Sequence, residues 1–143
     1  MSLFSAISIS ASGMEAQRTR AELLTENLAN AETTRTPEGG PYRRKDAVFS
    51  TESAEEPFSS AFNSSLDAAG VKVSEIVTDA RDPERRYQPG HPDADADGYV
   101  AFPRVNPAED MVDLMDASRS YEANVSAISA VKDMILRSID LFK

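Results

Sequence analysis

Apolar side chains recur in two long stretches of this chain, one at each end, and both repeats are those of a helix. Along residues 3–31 the positions Leu3, Ile7, Ser10, Met14, Gln17, Ala21, Leu24, Leu28 and Ala31 follow alternating steps of four and three. Polar residues (Glu15, Arg18, Arg20, Glu22, Glu26) fill the other side, so the segment reads as an amphipathic helix whose stripe softens at Ser10 and Gln17. The C-terminal stripe is sharper. Met111, Leu114, Ser118, Tyr121, Val125, Ile128, Lys132, Ile135, Ile139 and Phe142 keep steps of three and four without a slip, and only Ser118 and Lys132 break the apolar run. A sustained three-four repeat holds one seam against a partner helix, as in a coiled coil. Asn106 suits the N-cap, Pro107 the first helical position, and Glu109 is placed to reach back to the cap. A helix from residue 107 to about 141 would be about 50 Å long.

Between these helices the pattern changes abruptly. Residues 33–41 (TTRTPEGGP) form a loop by their Pro and Gly content, and 42–50 read as a strand ending in Val48 and Phe49. The Ser-, Glu- and Ala-rich stretch 51–69 reads as a flexible insertion or as a short helix over 58–66, while Val71, Val73, Ile76 and Val77 mark a second strand. Tyr87-Gln88 and residues 98–103 (GYVAFP) flank a Pro/Gly/Asp loop and are expected to pair as short strands. The expected fold class is therefore α+β: long N- and C-terminal helices pack as a coiled-coil-like core, with a small β-rich module inserted between them. Its parts are residues 1–34, 35–105 (with the acidic loop) and 106–143. One pair of helices covers only part of its own apolar seams, so either the rest is buried against other subunits or the ends stay disordered until such partners arrive.

Charge and composition narrow the function. The net charge of −9, concentrated between Glu52 and Asp97, argues against nucleic-acid binding and against adsorption to anionic lipid. With no cysteine, disulfides, thiolate metal sites and Cys nucleophiles are excluded. The N-terminal residues lack the basic region of a cleavable secretory signal, and nowhere do 18 apolar residues run together, so neither a signal peptide nor direct membrane insertion is expected.

Candidate chemistry is sparse. Asp93, Asp95, Asp97 and Gly98 imitate the opening of a calcium-binding EF-hand loop, but Arg104 stands where the closing bidentate Glu belongs, and a solvated acidic turn is the preferred reading. His91 is the single histidine, and a turn role fits it better than a metal site. Paired catalytic carboxylates need a water-excluding pocket, which terminal helices around a small β module do not offer. No catalytic, metal or cofactor site is therefore assigned. Arg43, Arg44 and Lys45 form a basic run that faces either a neighbouring subunit's acidic belt or solvent at a strand edge. Asn27 and Asn30, near the end of the first helix, either cap it or fix the turn of the chain into the β module. Lys132, on the seam, either snorkels or pairs across subunits.

Two stretches carry a resemblance. YQPGHPDADADGYVAFPRVN (87–106) with the helix that follows, AEDMVDLMDASRSYEANVSAISAVKDMI, resembles the flagellar basal-body rod family, and within it the proximal-rod FlgC class. At the other end, LLTENLANAETTRTPEGGPYRRKDAVF, with Asn27-Leu28-Ala29-Asn30, resembles the N-terminal signature of flagellar axial proteins. The likeness spans the chain apart from 51–69. Distal-rod and hook relatives are much longer, and the sister proximal-rod class lacks the PGHPDAD…GYV loop; Arg104, where relatives usually carry Asn, is a departure. The resemblance implies terminal helices packed as a coiled-coil-like core and passage through the flagellar type III export apparatus. It further implies helical stacking into a periplasmic rod with copies of itself and rod proteins of the FlgB, FlgF, FlgG and FliE classes. The assembly interface would then lie on Leu3, Ile7, Met14, Ala21, Leu24, Asn27, Leu28 and Asn30 and on Met111, Leu114, Tyr121, Val125, Ile128, Ile135, Ile139 and Phe142. The alternative in another class is a coiled-coil adaptor or export-apparatus binding module, and a third is a metal-dependent enzyme.

Overall fold

The computed structural model describes residues 3–52 and 70–140. Their elements run α1 (Leu3–Ala29), β1 (Lys45–Glu52), β2 (Gly70–Thr78), β3 (Glu84–Tyr87), β4 (Tyr99–Phe102) and α2 (Pro107–Asp140). This is the α+β arrangement that the periodicity predicts. The insertion or short helix expected within 51–69, and Phe142, fall outside the described residues apart from the end of β1.

α1 and α2 pack antiparallel: Arg20 near the C-terminal half of α1 bonds Asp113 in the first turns of α2 at 3.2 Å, while Gly13 lies against Asn124 farther along. The seam of α2 that meets α1 is set one residue back from the expected stripe. Asp110, Ala117 and Val131 are buried and Asn124 is half-buried, a strict seven-residue series, with Leu114, Ile128 and Ile135 half-buried beside it. Small side chains decide this. A Cβ on Gly13 would come within 3.1 Å of Asn124 Nδ2, so glycine permits an approach there that the bulkier stripe would hold apart. On α1 the buried residues are Ala16, Leu23, Leu24 and Asn27, because this helix is covered on two sides, by α2 and by the β1–β2 hairpin. α2 begins as expected, with Asn106 Oδ1 accepting the Ala108 N–H at 3.2 Å; Glu109 stays exposed and does not close the reciprocal arm.

β1 and β2 form an antiparallel ladder from Lys45↔Thr78 to Glu52↔Gly70, with an irregularity after Val48. Val48 opposes Glu75 and Phe49 opposes Val73, so Ser74 is the extra residue of a bulge, and its hydroxyl donates to the Val48 carbonyl at 3.0 Å. The bulge brings Val71 and Val73 to the same face as Ile76, which a strict two-residue alternation would not do. That face looks toward α1, and Ser12 Oγ accepts the Val71 N–H at 3.0 Å. The opposite face carries Val48, Glu75 and Val77. β3 and β4 pair antiparallel from Glu84↔Phe102 to Tyr87↔Tyr99, and Val100, Phe102 and Val105 are buried there with Pro103.

Candidate assembly interface

The faces that this subunit can present depend on a buried junction where both helices meet the β module. Asn27, 0% exposed, is its centre. Its Nδ2 donates to the Lys45 carbonyl at 2.8 Å, and its Oδ1 accepts both the Lys45 N–H at 2.9 Å and the Tyr42 hydroxyl at 2.9 Å. One amide thus satisfies the first backbone groups of β1 while anchoring the chain that leads into it. Asn30 takes the other of the two roles that the sequence leaves open: its Nδ2 donates to the Glu26 carbonyl at 2.9 Å and its Oδ1 accepts from Thr33 at 3.1 Å, capping α1. Neither residue adopts left-handed backbone geometry.

The basic run belongs to the same junction. Lys45 Nζ lies 2.6 Å from Glu26 on α1, and Arg43 donates to the Asp79 carbonyl at 3.2 Å. Arg44 stands between Asp46 at 3.2 Å and Asp110 of α2 at 3.1 Å. The run is spent on holding the helices to the hairpin, not on solvent alone. Burial pushes the Asp110 carboxyl above its ordinary 3.8, against the pull of Arg44, and Asp46, Asp113 and Glu109 add like charge. Neither Asp110 oxygen accepts an aligned hydrogen bond, so charge holds this pair. Burial works to lower the Arg44 pKa, but Asp46 and Asp110 keep it raised.

At the end of the hairpin, Arg81 grips Asp79 with its Nε at 2.9 Å from each carboxylate oxygen and its Nη2 at 2.6 Å from Oδ2. These bonds, with the Arg81 N–H, lower the Asp79 pKa to about 2 from 3.8. A folded-state value depressed in this way stabilises the protein above the ordinary carboxylate range, and the contribution is lost as the pH falls toward about 2. Asp79→Asn is therefore expected to flatten the loss of stability across that acid window, measured by urea melts at stepped pH; an unchanged acid slope would refute the assignment.

The acidic loop is a turn built on its own backbone. Asp95 Oδ1 accepts the N–H groups of Asp97 at 3.0 Å and Tyr99 at 2.8 Å, and its Oδ2 meets Arg85 at 2.9 Å. Asp93 turns elsewhere, to the Thr34 hydroxyl at 2.8 Å, and the His91 ring nitrogen Nδ1 accepts the Asp93 N–H at 3.1 Å. The two carboxylates are thus directed to different partners. Gly98 has φ +80°, and a Cβ there would meet the Tyr87 ring at 2.9 Å, so this turn requires glycine. Arg104 is exposed, its guanidinium 3.5 Å from the Asp82 carbonyl.

Outside the junction, α2 leaves a broad apolar band uncovered. Met111, Met115, Tyr121, Val125, Leu136 and Ile139 are all exposed, Val125 at 42%. Asp113, bonded to Arg20 beside a cavity that Ala47 and Phe49 also line, marks the side of α2 nearest the hairpin. At about 100° per residue, the exposed band lies from a quarter to nearly half a turn away from Asp113. On α1, Ile7, Met14, Ala21 and Leu28 are half-buried along the flank of the helix pair, Leu3 is exposed at the tip, and Leu24 is buried. The residues expected at one seam therefore divide: Leu114, Ile128 and Ile135 are half-buried beside the intramolecular contact, whereas Met111, Val125 and Ile139 stay exposed, as does Tyr121 although it lies near Arg18 of α1. No described helix is long and apolar enough to cross a membrane.

Residues 96–141 match the family described as flagellar basal body rod FlgEFG protein C-terminal. The chain is 43% identical to the flagellar basal-body rod protein FlgC of Bacillus subtilis over 152 aligned residues, covering 100% of both proteins. The chain belongs to the flagellar basal-body rod FlgC family. Its FlgC relative from Borreliella burgdorferi is 38% identical over 151 residues (100% of this chain, 99% of the relative), and that from Salmonella typhimurium 37% over 141 residues (99% and 98%). As a member of this family the chain is a structural subunit of the rod, and its place is the flagellar basal body. The coiled-coil adaptor is not favoured. The family match begins in the acidic turn and runs through β4 and α2, so it includes the whole exposed band.

Proposed function

We propose that this rod subunit polymerises through its terminal helices in the proximal rod, within the periplasm, and that its role is mechanical, without catalysis. The exposed band on α2 carries this reading. A row of large apolar side chains along a helix of 34 residues is what a repeated, dry, torque-bearing contact requires. The junction around Asn27 and Arg44 fixes how the band is presented. The flank of α1 from Leu3 to Leu28 adds the second, softer strip. The partners in this reading are copies of the chain and rod proteins of the FlgB, FlgF, FlgG and FliE classes, reached by way of the flagellar type III export apparatus. Long amphipathic ends can pass a narrow channel unfolded and bury their seams on arrival.

The chain has no cysteine, so Val125→Cys places a single thiol on the band. Maleimide is expected to label it rapidly in the free subunit and to leave it unlabelled in purified rods. Equal labelling in both would overturn the proposed interface.

A further inference from the structure

A band that assembles copies without closing a ring must meet a different surface on the next copy. The outer face of the β1–β2 hairpin has the matching chemistry. Val48 and Val77 are each 42% exposed there, and Glu75, opposite Val48 in the ladder, is exposed between them. This face looks away from α1, whereas the α2 band looks away from the hairpin, so the two lie on different sides of the molecule. Both carry charges that form no ion pair among the described residues, Lys132 and Glu122 on the band and Glu75 and Lys72 on the hairpin face. Lys132 lies among Val125, Ile128, Ile135, Leu136 and Ile139 by helical spacing, is exposed, and has no carboxylate partner among the described residues. Glu75 likewise has no cationic partner among them, although Lys72 shares its face; Asp46, also on that face, is held by Arg44.

We infer that the α2 band of one copy docks on the outer hairpin face of a second copy, with Lys132 meeting Glu75. This rests on the proposed role of the band as an assembly surface. Apolar side chains then cover apolar side chains on both sides of the ion pair, and the pair fixes the axial level of the contact. Copies that each carry a net charge of −9 repel, and a cation set within the contact offsets that repulsion where the surfaces are closest.

The test uses full-length chain as the only copy in flagellated cells. Lys132→Glu and Glu75→Lys are each expected to lower incorporation into purified basal bodies by about tenfold or more, and the double exchange to restore it, because opposite charges again face each other. In the cysteine-free chain, Lys132→Cys and Glu75→Cys subunits expressed together should give an oxidised dimer that neither gives alone. Absence of the rescue or of the cross-link overturns the proposal. If Val125→Asp still blocks incorporation in that case, the band remains an assembly surface with another mate; if Val125→Asp incorporates normally, the assembly role of the band fails as well.

Discussion

Cells whose only copy is Val125→Asp are expected to be non-motile, with soluble, folded subunit present and none in purified basal bodies. In the free subunit the side chain is partly in water, so the exchange should change stability by no more than about 0.5 kcal/mol. In a closed apolar contact the same carboxylate loses its hydration without a partner, at a cost of several kcal/mol. The cost recurs at every copy in a repeated assembly, which turns a weakened contact into failed incorporation. Ile128, at the middle of the same stripe, is a poorer probe. It is half-buried against the α1 side, so Ile128→Asp would damage the helix pair along with any contact between subunits. Motility assays, basal-body composition and a thermal melt of the purified variant check the prediction together. Normal swimming with Val125→Asp present in rods would show that the band is not an assembly surface.

Asn27→Leu is expected to lower the unfolding free energy by about 3–5 kcal/mol, more than any change at Asn30. Leucine keeps the branched outline of asparagine, though with bulkier methyl groups, and offers no polar atom, so the Lys45 N–H, the Lys45 carbonyl and the Tyr42 hydroxyl all lose their partner at once. Tyr42 itself is buried. Burial, with Glu26, Asp110 and Asp46 nearby, pushes its pKa up to about 12, so ionisation gives the hydroxyl no escape at neutral pH. Asn30→Ala removes a cap beside solvent and should cost about 1 kcal/mol. Urea denaturation of the two variants distinguishes them; equal losses would mean that Asn27 acts as a second cap.

Spacing alone located both helices, because a period of three to four survives any choice of partner. It could not give their rotation. The C-terminal stripe of Met111, Tyr121, Val125 and Ile139 is more apolar than the series Asp110, Ala117, Asn124 and Val131, yet the latter packs on α1. A hydrophobic count ranks side chains by transfer energy, whereas the helix pair selects small ones that let backbones come close, as Gly13 and Asn124 do. The seven-residue recurrence of Ala117, Asn124 and Val131 was present in the sequence as a signal of size, not of hydropathy. The bulge at Ser74 was similarly hidden: Val71, Val73 and Ile76 break a two-residue alternation, and only pairing with β1 shows where the extra residue sits.

By itself the amino-acid order determined the two helices, the Asn106 cap, the strands β1, β2 and β4 (β3 lies over Glu84–Tyr87, where the pattern predicts only Tyr87 in a strand), the glycine-dependent turn at Gly98 and the likeness to flagellar rod proteins. These depend on neighbours close in the chain, through backbone geometry and side-chain period. Tertiary structure decided which of two equally placed asparagines becomes the buried clamp, that Arg44 reaches across to Asp110, and which apolar face of α2 is left uncovered. Those outcomes join residues far apart in sequence, and they follow from which surfaces can approach closely enough to exclude water, a property of the packed chain rather than of any one segment.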